Sequence, residues 1–243
     1  MRKTLVSFIT LLYSQISFAQ FNDSIHHHFS FASTGIINKT NNISSYILNN
    51  SVGFNIERKK ISQNTSASWI YGKQQKILSN DDLSIYADLD YLKKVRKLYY
   101  WALVNFDESY SLKINYRFQS GVGVGYTIIK GPDLNLVLSD GLMYETSDLT
   151  DPLLGKDIYQ TIRNSFRIKY HWAIKNVLIL EGSHFIQPSL LSLKDYILKS
   201  NSALTVKLNK WLGINATVSY NKISRTEREN LLITYGLTVD KYF

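Results

Sequence analysis

The sequence has no cysteine, only three prolines and, after its first twenty residues, no run of about 20 apolar residues. The lack of cysteine excludes a disulfide framework and is compatible with an oxidising compartment. The lack of long apolar runs excludes membrane-spanning helices in the rest of the chain. What the chain does contain is tyrosine, seventeen in all, which together with few prolines favours strands over loops or disorder.

The N-terminus has the features of an export signal. Arg2 and Lys3 form a basic start, and a short apolar run then leads to small residues that end at Ala19. Cleavage after Ala19 would give a secretory signal peptide of residues 1–19 and a mature domain of residues 20–243. A retained membrane anchor is the alternative, but the apolar run is too short to span a bilayer.

The C-terminal stretch shows the clearest periodicity in the chain. Every odd position from Leu231 to Val239 is apolar, whereas the residues between them are mostly small or polar. A period of two predicts a strand with one face in an apolar medium. A final strand that ends on an aromatic residue is typical of outer-membrane β-barrels. Recognition by the barrel-assembly machinery is therefore expected, and the expected assembly signal is Tyr235, Leu237, Val239 and Phe243.

Similar alternation recurs along the chain in about twelve segments, an even number as in single-chain bacterial barrels. The ninth segment, around 177–186, is ambiguous in phase. Basic turns follow the even-numbered segments, and longer polar connections follow several odd-numbered ones, at 73–82, 147–157, 188–194 and 221–229. We therefore predict an all-β protein, an antiparallel transmembrane β-barrel of about twelve strands. Its short turns and both termini should lie in the periplasm of a Gram-negative bacterium.

The formal net charge is +9, and removal of Arg2 and Lys3 with the signal lowers it by two, to +7. On a soluble cytoplasmic domain such a surplus would suggest nucleic acid as a partner. The export signal excludes that compartment, and the basic residues are spread through turns and strands. Anionic outer-membrane lipids are the expected partners of this charge, and no nucleic acid is expected.

Three inward-facing glycines, Gly121, Gly123 and Gly125, follow one another on the sixth segment. Glycine weakens a strand unless another group approaches closely. Two interpretations remain open: bulky neighbours such as Trp101 cover the glycines, or the glycines widen a lumen.

The sixth segment also resembles a known family. Residues 116–126 (YRFQSGVGVGY) are similar to the core signature of domain-of-unknown-function family 481, often described as salt-induced outer-membrane proteins. Residues 136–145 (LVLSDGLMYE) resemble the next strand of that family, and residues 35–41 resemble its opening, with Ile36 and Ile37 inserted. The resemblance implies an export signal, a barrel over the whole mature chain and a C-terminal aromatic residue. It implies no catalytic or ligand-binding residues.

Charged residues in the inward phase are the candidate lumen lining. The basic members are Lys113, Arg117, Arg163, Arg167, Lys169 and His171, and the acidic members are Asp88, Asp90 and Glu145. One interpretation is a paired network that fills a narrow lumen, because unpaired charge there would be costly. The other is an electropositive pore wall that favours small anionic solutes.

One charged residue does not fit the alternation. Asp140 falls in the lipid-facing phase, and a β-bulge that turns it inward is the expected explanation.

No arrangement of residues suggests catalysis. Ser165 and His171 share a face but lie roughly 20 Å apart along a strand. We therefore predict no enzyme activity, no metal site and no cofactor.

Three functions remain in order of preference. The first is a narrow solute channel or envelope-stress barrel, and the second is a structural or partner-binding barrel with a filled lumen. The third is a lipid-modifying enzyme.

Overall fold

A computed structural model describes residues 27–40, 43–92, 96–150, 155–175 and 177–242. The expected signal peptide and Phe243 lie outside this part of the chain. A search of the described residues finds no helix that is long and apolar enough to cross a membrane.

The alternating segments form thirteen β-strands. These are β1 (His27–Thr40), β2 (Ile43–Glu57), β3 (Ile61–Gln74), β4 (Ile77–Tyr91), β5 (Leu98–Ser109), β6 (Ile114–Lys130), β7 (Leu134–Leu149), β8 (Asp157–Asn164), β9 (Phe166–Ile174), β10 (Leu178–Pro188), β11 (Tyr196–Lys207), β12 (Leu212–Ile223) and β13 (Arg228–Tyr242). Strands β8 and β9 are two halves of one barrel strand. They pair with β7 in a single register that continues through Ser165, whose N–H donates to the Gly141 carbonyl at 2.8 Å.

Neighbouring strands are antiparallel throughout, and β1 pairs with β13, so the sheet closes into a barrel of twelve strands. The predicted fold is therefore confirmed. His28 of β1 pairs with Tyr242 of β13. We call the rim with these two strand ends the terminal rim. The opposite far rim carries the connections 110–113, 150–156, 189–195 and 224–227.

Large apolar side chains cover the outside of the barrel. On β6 the outward residues Phe118, Val122 and Val124 are exposed, whereas the alternating inward residues are polar or glycine. On β13 Tyr235 and Leu237 are exposed in the same way, and Val239 shares their face. A water-soluble protein has the opposite distribution of apolar and polar residues. The apolar residues of each strand therefore face lipid.

The predicted difference between the two rims is smaller than expected. The long connection predicted at 73–82 is wrong, because β3 and β4 are joined by only two residues, Gln75 and Lys76. Both have left-handed φ values, 51° and 69°, the geometry of a tight hairpin turn. Polar residues such as Asp81 that suggested a loop extend the strands instead, and Asp81 accepts a hydrogen bond from the Trp69 indole at 2.9 Å.

The expected bulge at Asp140 is also wrong. The β6–β7 register shifts beside Asn115 and Ile128 but not at Asp140, which pairs with Val124 and stays outward and exposed. The Asn164 amide donates to its carboxylate at 2.9 Å and supplies a polar partner on that face. The bulge beside Asn115 has a different effect, because it turns Ile114 into the barrel, where it is buried.

Aromatic side chains cover the inward glycines, which is the first of the two interpretations above. The Trp101 indole lies across Gly123 and Gly141, so that a Cβ on either would come within 2.5 Å of it. Tyr99 covers Gly125 in the same way, and Met143 covers Gly121. The glycines thus provide the space in which these side chains pack.

Replacing Gly123 by leucine should destabilise the barrel by about 1–3 kcal/mol, because the new side chain would overlap Trp101 and the Asp140 carbonyl. The matched control is V122L, which adds bulk to the lipid-facing side of the same strand. Urea unfolding in detergent micelles, followed by tryptophan fluorescence, measures the difference. Equal stability of the two variants would contradict the packing described here.

Candidate functional site in the barrel lumen

The structure places eight of the nine candidate charged residues inside the barrel. Arg117, Arg163 and Arg167 are buried, as are Asp88, Asp90 and Glu145, whereas Lys169 is half-buried and His171 is exposed within the lumen.

Lys113 is the exception. It lies in the β5–β6 turn with a left-handed φ of 60°, and its ammonium is 4.7 Å from the centre of the Tyr110 ring. The alternation that suggested an inward Lys113 is broken by the bulge beside Asn115.

The best-satisfied pair in the lumen joins Arg163 and Glu145. Nε and Nη2 of Arg163 lie 2.8 and 3.0 Å from the two carboxylate oxygens, and Gln119 donates to the same carboxylate at 2.6 Å. The Tyr159 hydroxyl donates to it as well. Arg163 also reaches Asp195 at 2.9 Å. Two buried charges are tolerated only when their remaining hydrogen-bonding positions are filled in this way.

A second cluster connects opposite sides of the barrel through Asp107 on β5. Its carboxylate accepts from Lys199 of β11 at 2.8 Å and from Arg117 of β6 at 3.3 Å. Ser84 and Asn105 donate to it at 2.7 and 2.8 Å. Because β5 and β11 are not neighbours in the sheet, the Lys199 side chain crosses the lumen and acts as a strut between the two walls.

A third cluster surrounds Arg167 of β9. Its guanidinium donates to the Tyr86 hydroxyl of β4 at 3.1 Å and to Ser139 at 3.0 Å, and lies 3.8 Å from Asp88. It also stacks near the ring of Trp101, 5.8 Å from its centre. Arg167 is thus bound to the opposite wall, whereas Arg117 and Arg163 bind carboxylates on the neighbouring strands β5 and β7.

An apolar layer lies above these clusters at the far rim. Buried Leu112, Ile114, Leu149 and Ile223 pack together there, with Tyr159 against them. We call this group the far-rim cap. It reaches across the mouth from the side formed by β5–β8 to β12.

Arg225, in the β12–β13 connection, ties the loops over the far-rim cap. It forms two bonds to Asp157, at 2.8 and 3.2 Å, and one to Asp195 at 3.0 Å. Its guanidinium carbon is 3.8 Å from the centre of the Tyr159 ring. The hydrogen bonds to Asp157, followed by those to Asp195, raise the pKa of the Arg225 guanidinium above its ordinary value.

Several small polar residues line the remaining side of the lumen. Ser66 on β3 and Asn201 on β11 point inward and are nevertheless exposed. The inward pair His171 and Glu181, 3.5 Å apart, has side chains that are 48% and 54% exposed. We call the space beside these residues the polar passage. Its further lining consists of Ser51, Gly53, Ser68, Thr217 and Ser219.

Sequence reasoning missed Asp107, Lys199, Asp195 and Arg225. Asp107 lies in the inward phase of β5, so the alternation alone could have identified it. Lys199 lies in the first part of β11, which was not recognised as a strand because serines interrupt its outward face at Ser200 and Ser202. Asp195 and Arg225 lie in connections, where no periodicity marks an inward residue.

No group of three or more histidine, cysteine, aspartate or glutamate residues in the described ranges could hold a metal ion. The nearest arrangement to a polar histidine site is His28, 3.1 Å from Asp240 and 3.3 Å from the Asn55 amide, near the terminal rim. The histidine and the single carboxylate are too few ligands to hold a metal ion.

A closed antiparallel barrel with an apolar exterior and a polar interior defines the class of outer-membrane β-barrels. The family model for DUF481, a protein of unknown function, matches residues 32–239, and the chain belongs to this family. The resemblance seen in the sequence is therefore confirmed. No functionally curated protein matches the chain.

Solved structures share the fold at low sequence identity. The chain is similar to the NanC porin with a TM-score of 0.51 and 9% identity, over 88% of this chain and 99% of that one. It is also similar to the translocator domain of the autotransporter NalP from Neisseria meningitidis (TM-score 0.48, 11% identity, 100% and 95% covered). A channel from Pseudomonas putida F1 gives 0.48 and 10% identity, with 95% and 99% covered. At such identities the likeness shows the fold alone.

Replacing Glu145 by alanine should lower the free energy of unfolding by about 3–5 kcal/mol, because it leaves buried Arg163 without its main partner. E181A removes a carboxylate from an exposed pair in the same lumen, and we expect a loss of less than about 1 kcal/mol. Urea titration in micelles compares the two. A similar loss in both variants would show that the Arg163–Glu145 pair has no special structural importance.

Proposed function

We propose that the protein is an outer-membrane barrel through which small hydrophilic solutes move along the polar passage. The observation that carries the proposal is the exposure of inward-facing Ser66, Asn201, His171 and Glu181 in an otherwise filled lumen. A wall of hydroxyl and amide groups suits hydrated solutes, because it exchanges hydrogen bonds with water and carries little fixed charge. Transport, rather than catalysis, is the proposed activity.

The proposed location is the outer membrane of a Gram-negative bacterium, with both termini in the periplasm. The apolar exterior, the fold and the export signal in the sequence support this location. Insertion would require the barrel-assembly machinery, and anionic lipid headgroups would contact the basic turns.

We further propose a weak preference for anions. Buried Arg117, Arg163 and Arg167 each lie near a carboxylate or its hydrogen-bonding partners, so their fields are largely compensated inside the wall. Lys169 is only partly buried and brings a positive charge to the inward face of β9. The expected solutes are therefore small and neutral or anionic.

A second candidate function is a structural or partner-binding barrel with a blocked lumen. The observation in its favour is the strut from Lys199 to Asp107, together with the far-rim cap. The two functions differ in whether water and ions cross the barrel.

Conductance in a planar bilayer tests the proposal. The purified protein should give small, weakly anion-preferring channels. K199A should raise the conductance, because it removes the strut while Arg117 still pairs with Asp107. Correctly folded protein without conductance in either form would favour the blocked barrel.

Two variants that each remove a positive charge separate the effect of charge on ion selectivity from its effect on stability. K169Q should reduce the anion preference, because it removes a positive charge from the inward face of β9. R167Q should mainly lower stability, because it leaves buried Asp88 without the guanidinium beside it. If R167Q changes the ion selectivity more than K169Q does, the buried arginine rather than the lysine determines the anion preference.

Orientation is tested by tags on the two rims. A tag in the 150–156 connection of the far rim should be labelled on intact cells. A tag at 131–133, between β6 and β7, should be labelled only after the outer membrane is opened. The reverse pattern would place the termini outside the cell.

A further inference from the structure

The outer wall of the barrel carries two lysines beside the turn between β3 and β4. Because β1 starts at the terminal rim and neighbouring strands run antiparallel, this turn lies at the far rim. Lys73 lies near the end of β3, and Lys76 lies in the turn itself. Together with Ser44 and Tyr46 of β2 they line a groove of about 290 Å³. We call it the lysine groove.

The two lysines differ from other cations of the far rim in having no carboxylate beside them. Lys156 lies 3.3 Å from Asp148, and Lys222 lies 3.5 Å from Glu229. In the part of the chain that the structure describes, Lys73 and Lys76 form no ion pair. The Lys73 ammonium lies instead 5.7 Å from the centre of the Tyr71 ring.

One acid, Asp81, shares this face of the barrel. It pairs with Tyr71 in the sheet, and its carboxylate accepts a hydrogen bond from the Trp69 indole at 2.9 Å. It is thus held beside the aromatic rings, and the two ammonium groups remain available to an anion.

Lys76 occupies a backbone position that glycine normally fills. Its φ is 69°, and two-residue hairpin turns of this geometry favour glycine because a Cβ is unfavourable there. The chain therefore places a positive charge at the tip of the turn at the expense of backbone preference. Unfavourable backbone conformations of this kind often occur at functional sites.

A row of aromatic rings lies next to the lysine groove on its membrane side. The rings of Tyr46 and Tyr71 are 6.2 Å apart between centres, and those of Tyr71 and Trp69 are 5.6 Å apart. Such residues mark the boundary between hydrocarbon and headgroups. Lys73 lies four residues beyond Trp69, roughly 13 Å along the strand, which the tilt of barrel strands reduces to about 10 Å in height. The ammonium groups are therefore at headgroup depth.

Below the rings the same face is apolar. Leu48 of β2, which pairs with Tyr71, and Ile85 of β4 are 40% and 44% exposed. The outer wall thus presents apolar, aromatic and cationic groups in that order toward the far rim. An anionic lipid has the same order of chemical groups, from its acyl chains to its charged headgroup.

A phosphate monoester is the anion that suits the lysine groove best. It carries up to two negative charges, which two lysines can balance, and lysine binds phosphate as a point charge. The hydroxyls of Ser44 and Tyr46 can donate to the remaining oxygens. The rings of Tyr46 and Tyr71, apolar in the body and polar at the tip, suit a sugar between the phosphate and the acyl chains.

We propose that the lysine groove binds the phosphate group of a phosphorylated glycolipid in the outer leaflet of the membrane, with the acyl chains along Leu48 and Ile85. The site is separate from the polar passage and from the basic turns of the terminal rim. The inference rests on the proposed orientation, in which the far rim lies at the cell surface.

Binding of diphosphoryl lipid A to the purified protein in dodecylmaltoside micelles, measured by native mass spectrometry, tests the site. K73Q/K76Q should weaken binding about tenfold, because two exposed charge contacts are lost. The matched control K156Q/K222Q removes the same charge from the same rim, at lysines that already lie beside carboxylates, and should bind as the unaltered protein does. Equal losses in the two variants would indicate a general attraction to the rim and overturn the proposal.

Competition identifies the source of the phosphate. Neither inorganic phosphate nor phosphatidylcholine should displace lipid A at equal concentration, since the first lacks acyl chains and the second lacks a phosphate monoester. Displacement by inorganic phosphate would make the groove a site for free phosphate. Displacement by phosphatidylcholine would mean that the lysines do not select the lipid. Either result overturns the proposal.

The result of the binding assay is independent of the proposed passage, because binding in micelles requires no conductance. A barrel without conductance that binds lipid A through Lys73 and Lys76 would contradict the passage and support this site. If a tag in the 150–156 connection is labelled only after the outer membrane is opened, the far rim faces the periplasm. The assignment to the outer leaflet is then wrong, whatever the conductance.

Discussion

Backbone hydrogen bonding is the constraint on which this structure depends. In a bilayer no water pairs with a strand edge, so every strand needs a neighbour on both sides and the sheet must close. Twelve barrel strands meet this requirement almost everywhere, with β1 against β13 as the closing pair. The exception is the far-rim part of that pair, because the β1–β13 register ends at Gly35 and Tyr235. The constraint thus explains why the barrel is closed.

Closure of the sheet encloses polar groups in a narrow interior. The residues that line the two sides of that interior differ. Along β4–β10 several buried charged groups lie beside a counter-charge or an amide, as Glu145 does beside Arg163 and Gln119. Along β1–β3 and β11–β13 many inward residues are small and polar, and inward Ser66 and Asn201 are exposed. Filling one side stabilises the barrel against collapse, and the other side is the proposed path for solutes.

Most of the strands could be predicted from the sequence, because apolar residues with a period of two indicate a strand with one apolar face. The alternation around Leu231 predicted the last strand, and one of the two interpretations of the glycines, cover by Trp101, describes how one wall packs. Alternation cannot locate a bulge, which is why Lys113 was placed inside the barrel and a bulge was wrongly expected at Asp140. It also cannot show which inward charges meet across the lumen. The bond from Lys199 to Asp107 depends on the closed shape of the barrel.

The central claim is that one side of the lumen is filled and the other is open to water. Single cysteines at Ser66 and Asn201 test the open side, and a cysteine at buried Ser165 tests the filled side. The measurement is the rate of reaction with a charged, membrane-impermeant methanethiosulfonate reagent on protein in vesicles. Fast reaction at Ser66 and Asn201 with slow reaction at Ser165 is the predicted result. Equal rates at all three positions would contradict the division of the lumen.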